Sequence, residues 1–114
     1  RNKPFFCYLA FNAPHTPLQV PGEYYSLFRD IDPSSGFEND IRPFNPMNEN
    51  NKEDARRVYA MVKNIDDNIG KILQKLGELN LDENTNLQVI RIMIRELRDL
   101  NYMILKMILM SRTI

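Results

Sequence analysis

Apolar and polar positions divide this chain into a solid run, a broken middle and a long periodic stretch. Residues 4–11 are almost wholly apolar, from Phe5 through Cys7 and Leu9 to Phe11. A short continuous apolar run of this kind predicts a strand buried on both faces, as in parallel sheets. Pro4 stands at its first position, where a missing N–H is tolerated. Residues 12–21 form a proline-rich loop. A short helix follows from Pro21 or Gly22 to about Asp30, with Tyr24, Tyr25, Leu27 and Phe28 as its apolar side. Over 31–50, Pro33, Gly36, Pro43, Pro46 and several asparagines break any regular period.

A helix is predicted over about 52–79. Asn51 serves as N-cap, and Glu53 and Asp54 suit the helix dipole in the first turn. Ala55, Val58, Val62, Ile65, Ile69, Ile72, Leu73 and Leu76 recur at helical spacing and form one stripe. Glu53–Arg57 and Asp67–Lys71 are pairs of opposite charge four residues apart. Asn80 suits the left-handed turn that ends helices. Leu87, Val89, Ile90 and Ile92 suggest a second strand over about 87–92. Strand, crossover helix, strand predicts an α/β fold with a parallel sheet. Beyond it, Leu97, Leu100, Ile104, Met107 and Ile108 predict a helical tail, although apolar residues fall on its other faces too.

Composition narrows the function classes. The chain has 114 residues, and 15 basic residues balance 15 acidic ones. No basic excess points to nucleic acid, and no apolar run is long enough for a helical membrane span. A lone cysteine, Cys7, allows neither an internal disulfide nor a cysteine metal cluster. Arg1-Asn2-Lys3-Pro4 shows neither an initiator methionine nor a leader, and reads as the interior of a longer sequence.

His15, the one histidine, follows the apolar run in Asn12-Ala13-Pro14-His15-Thr16-Pro17. Open α/β sheets bind ligands at the carboxyl ends of their strands. Pro14 fixes its own φ, and Pro17 restricts Thr16. An imidazole on so stiff a support loses little entropy when it grips a ligand. The plain alternative is a loop histidine bonded to a backbone carbonyl. Asp66 and Asp67 point about 100° apart on a helix, which makes them a solvated face rather than a paired metal site. Lys63 and Lys71 read as surface charges. Tyr24 and Tyr25 suit either a substrate mouth or packing. Cys7 reads as a small buried apolar side chain.

The stretch from Lys3 through Pro14-His15-Thr16-Pro17 to Pro21 resembles a segment of the arylsulfatase-type sulfatases. Arg57–Val62, Ile65-Asp66-Asp67-Asn68-Ile69-Gly70 and Leu81-Asp82-Glu83-Asn84-Thr85 are similar to the helix and exit turn that follow it there. The resemblance covers about residues 3–85. It implies an alkaline-phosphatase-like α/β fold and hydrolysis of sulfate esters by a formylglycine made from cysteine or serine, beside calcium. It makes His15 the catalytic and substrate-binding histidine that contacts the sulfate. It also implies a periplasmic, lysosomal or secreted protein.

Four departures qualify it. Cys7 precedes Tyr8-Leu9-Ala10-Phe11 and so is not the nucleophile, which lies in Cys/Ser-x-Pro/Ala-x-Arg. Paired aspartates for calcium and a Lys-x-His pair are absent, so no residue is assigned to metal. After Thr85 the expected Asp-Asn-Gly does not appear. The chain is therefore expected to hold a partial sulfatase catalytic domain over 1–85 and a divergent apolar tail over 86–114. A shifted reading frame would account for that tail: one choice of codons for Arg91–Ile94, AGG-ATA-ATG-ATA, contains GAT-AAT in another frame, which encodes Asp-Asn. By itself such a fragment is expected to be inactive. A fragment of a related phosphodiesterase or phosphonate hydrolase, and a helical interaction module over 52–110, stay open.

Overall fold

The computed structural model describes residues 3–35, 47–95 and 101–111. Its elements run β1 (Phe6–Phe11), α1 (Gly22–Ser26), α2 (Glu49–Glu78), β2 (Thr85–Arg95) and β3 (Asn101–Ser111). Part of the irregular stretch expected over 31–50 lies outside the described residues, as do Leu97 and Leu100 of the expected tail helix.

The three strands form one sheet in the order β1-β3-β2. Both β1 and β2 pair antiparallel to β3, with Cys7 and Leu87 both opposite Leu109 and Leu9 and Val89 both opposite Met107. This corrects two expectations. The tail is a strand over Asn101–Ser111, not a helix, which also removes the helical module over 52–110. Among the described residues the sheet has no parallel pair. The cause is local. Two runs rich in Ile, Leu and Met, five residues apart, close as a hairpin with far less chain to order than a distant parallel pairing requires. A run apolar on every side fits a central strand better than a one-sided helix. The sense of the crossover survives, since β1 and β2, each antiparallel to β3, point the same way.

Helix α2 starts three residues earlier than expected. Asn48 is its N-cap, and the Asn48 side chain accepts from the Asn51 N–H at 2.9 Å. Its end matches the expectation. Asn80 adopts φ 53°, Leu81 N–H donates to the Leu76 carbonyl and Asn80 N–H to that of Gly77, both at 2.9 Å. These are the paired bonds of a Schellman ending. Leu81 then packs against the cluster that holds Leu76, the apolar contact that accompanies this ending.

One face of the sheet meets α2. Leu76, Met107 and Leu109 are buried, with Cys7, Leu9, Phe11, Leu87, Ile69 and Ile72 packed around them. The stripe is narrower than its sequence suggests: Val62 and Leu73 are nearly half exposed, whereas Ala60 and Met61 are buried. The opposite face is open among the described residues, with Phe6 65 % and Met110 42 % exposed across one register pair. Strand β1 is therefore covered on one side, not on two as its apolar run predicts. Phe5 extends its pairing, because its N–H donates to Ser111 Oγ at 2.8 Å and its carbonyl accepts from Ser111 N–H at 3.1 Å.

Candidate active site

His15 stands in the loop that leaves the carboxyl end of β1. Its N–H donates to the Asn12 carbonyl at 3.1 Å, closing the turn over Ala13-Pro14. The peptide bonds before Pro14 and Pro17 are cis. The ring is half-buried, and Nδ1 bonds the Thr16 carbonyl. A carbonyl only accepts, so Nδ1 carries the proton in the neutral ring, and Nε2 is the basic nitrogen. The bond to backbone expected of an ordinary loop histidine is thus present. It also orients the ring, as a functional histidine requires.

Side-chain ties hold the segment after this loop to α2, the first of them through Glu53. Tyr25 Oη donates to Glu53 Oε2 at 2.7 Å, and Arg57 Nε donates to Glu53 Oε1 at 2.9 Å. The Arg57 guanidinium lies 5.3 Å from the Tyr25 ring centre. The Tyr25 hydroxyl, then Arg57, hold the Glu53 carboxyl below its ordinary range, and the bond to Glu53 raises the Tyr25 hydroxyl. Of the two roles open to Tyr25, the geometry uses packing onto α2. The Glu53–Arg57 pair forms as expected. Asp67 instead pairs with Lys63, one turn upstream, and that bond lowers the carboxyl while Tyr24 lowers it further. Either neighbour four residues away is within helical reach, and Tyr24 supports the carboxylate in the pair that forms. Asp66 is exposed.

The second tie was not read from the sequence. Asp32 Oδ1 accepts from Ser34 N–H at 3.0 Å and Ser34 Oγ at 2.7 Å, and lies 3.2 Å from Lys52 Nζ. An Asp two residues before a Ser is the local signal of such a turn, but its partner on α2 lies twenty residues away and leaves no local trace. The Ser34 bonds, then Lys52, hold the Asp32 carboxyl at about 2 against its ordinary 3.8. A depressed carboxylate contributes stability above its unfolded value and loses it as pH falls toward the folded one. The denaturant midpoint is therefore expected to fall between pH 4 and about 2. Asp32→Asn should flatten that slope in urea titrations at each pH.

Cys7 is half-buried and packs against the core cluster, as a small apolar side chain would. Among the described residues, no three of His, Cys, Asp and Glu come together to hold a metal ion. No helix among them is long and apolar enough to cross a membrane.

The sequence profile of the Sulfatase family matches residues 1–90, which takes in β1, the histidine loop, α2 and the start of β2. An endo-4-O-sulfatase of Bacteroides thetaiotaomicron is 33 % identical over 87 residues, covering 73 % of this chain and 16 % of that protein. An arylsulfatase of Klebsiella aerogenes is 28 % identical over 113 residues, covering 75 % of this chain and 24 % of that one. Arylsulfatase J of Mus musculus is 52 % identical over 29 residues, 25 % of this chain and 5 % of its own. No solved structure matches. The chain thus spans at most about a quarter of the length of these relatives. With its profile matched across β1, His15 and α2, the chain belongs to the sulfatase family.

Proposed function

We propose that this chain is the histidine-bearing strand, loop and crossover helix of a hydrolase for sulfate esters of sugars or aryl alcohols, with His15 as the sulfate contact. The observation that carries this is the placement of His15. The ring leaves the carboxyl end of β1 and is held at Nδ1 by the Thr16 carbonyl. Nε2, the basic nitrogen of that tautomer, is assigned to the anion. A protonated imidazole gives the ester oxygen a charge-assisted donor, worth about 1.5–3 kcal/mol. It can also deliver its proton to the leaving oxygen as the S–O bond opens. A formylglycine nucleophile would be supplied elsewhere in the whole enzyme. Calcium, which the family employs, would likewise be held by residues other than those described. Alone, the chain binds and does not turn over.

Titration with 4-nitrophenyl sulfate, followed through the ring protons of the one histidine, tests this. A saturable shift is expected, weakened by salt, with no nitrophenol released; in His15→Gln, which has no histidine left to follow, the aromatic protons of the ligand itself should report the loss of binding. A neutral nitrophenyl glycoside should leave the ring unmoved. Equal shifts with both ligands, or none with either, overturn the sulfate contact. Release of nitrophenol overturns the inactivity of the chain alone.

We also propose that the sulfatase domain gives way to a divergent segment after Thr85. The nucleotide sequence tests its origin. An alternative frame encoding Asp-Asn near Arg91–Ile94 supports a frame shift, and its absence excludes one.

A further inference from the structure

The sheet contains an intruder. Strands β1 and β2 run the same way and are joined through α2. A strand–helix–strand unit of this kind can pair its two strands directly in parallel. Here β3 lies between them. The family profile takes in β1, α2 and the first residues of β2 but ends at residue 90, and β3 begins at Asn101. The central strand of this sheet therefore comes from outside the family-matched region.

Its hold on that place is strong. β3 pairs with β2 along the whole of Thr85–Arg95 and with β1 along Phe6–Phe11. It supplies Met107 and Leu109, two of the three buried members of the core cluster, and the third, Leu76, comes from α2. It also enters by a short local connection and pairs antiparallel, slightly the more stable geometry per residue.

We propose that β3 is a wedge strand, which keeps β1 and β2 from pairing directly and moves β2 one strand spacing away from the histidine rim. The spacing is about 4.8 Å, so matched rows of β1 and β2 stand about 10 Å apart instead of about 5 Å. The register carries the effect to the rim. Phe11, the last residue of β1, is level with Leu105, and Leu105 with Arg91. Ile92–Arg95 thus extend past the end of β1, on the side from which the His15 loop departs. Groups that share one small anion must each come within hydrogen-bond distance of it, about 3 Å. The wedge therefore denies groups on β1 and β2 the side-by-side placement that adjacent strands give, and leaves them a span of about 10 Å to bridge.

The native chain carries one cysteine, which makes the arrangement open to cross-linking in the full chain. Cys7 and Leu87 both face Leu109 in register. A disulfide needs Cα atoms about 4.4–6.8 Å apart. Leu109→Cys should therefore bridge to Cys7 under mild oxidation, with both thiols lost and the chain still monomeric. Leu87→Cys, about two spacings from Cys7, should keep both thiols. In the unmodified chain, NMR should show direct cross-strand contacts between Cys7 and Leu109, which guards against a variant that fails to fold. Bridging in Leu87→Cys would show β1 and β2 paired directly and overturn the wedge. So would bridging of Leu109→Cys between two chains, or absence of the Cys7–Leu109 contact from the unmodified protein.

Discussion

Met107→Asp is expected to melt the sheet, with a loss of about 4 kcal/mol or more. Met107 is fully buried and sits mid-strand, opposite both Leu9 and Val89. Truncating a buried methionine costs about 2–5 kcal/mol, and leaving a buried charge uncompensated costs about 3–5 kcal/mol. Domains of this size are stable by about 5–15 kcal/mol in all, so the change removes much or all of the margin. Met107→Leu, which nearly conserves volume, should cost less than about 1.5 kcal/mol. Urea unfolding measures both. If Met107→Asp shifts the midpoint no more than Met107→Leu does, β3 is not in the core. The α1–α2 ties through Tyr25, Glu53 and Arg57 do not involve β3, so helical circular dichroism should outlast the sheet signal in Met107→Asp.

The contrast between α2 and β3 shows which parts of this fold are legible in sequence. Helix α2 announces itself because its stripe, cap and ending are all local. Val58, Ile65, Ile69, Ile72 and Leu76 repeat within one element, and Asn80 ends it by its own backbone preference. Its start lies three residues before the predicted one because Asn48, Asn50 and Asn51 are similar caps, and the Asn48 side chain is the one that turns back to bond Asn51. Strand β1 and the histidine loop were also legible, since a short apolar run ending in Asn-Ala-Pro-His-Thr-Pro leaves few alternatives. For β3 the local code is degenerate. A run apolar on every side satisfies a buried helix and a central strand equally, and length does not arbitrate at about eleven residues. What decides is the neighbour, and β1 lies about a hundred residues away in the chain. The second tie to α2 was hidden for the same reason. Asp32 advertises a turn, but nothing near it names Lys52. For the site, the sequence placed His15 correctly at the end of its strand but was silent on the Thr16 carbonyl that fixes which nitrogen is basic.

His15→Ala is expected to have the largest effect on chemistry, read in a polypeptide that carries this segment and turns over a sulfate ester. Two roles for the imidazole predict different kinetics. As a charge-assisted donor to the sulfate alone, it contributes about 1.5–3 kcal/mol equally to bound ester and transition state. Its loss then raises KM by about 10- to 150-fold at constant kcat. As the acid for the leaving oxygen, it acts only as the S–O bond breaks, and its loss lowers kcat by about 10²–10⁴-fold. The bond from Nδ1 to the Thr16 carbonyl orients the ring in either role, so the kinetics decide between them. Leaving groups supply the control. A nitrophenyl sulfate departs without much help from a proton, whereas an alkyl or sugar sulfate does not, so kcat in His15→Ala should fall at least tenfold further for the sugar ester. A raised KM with unchanged kcat for both esters would assign His15 to binding alone. Unchanged kcat and KM for both would remove it from the site altogether, and the bond to the Thr16 carbonyl would then be the whole of its role.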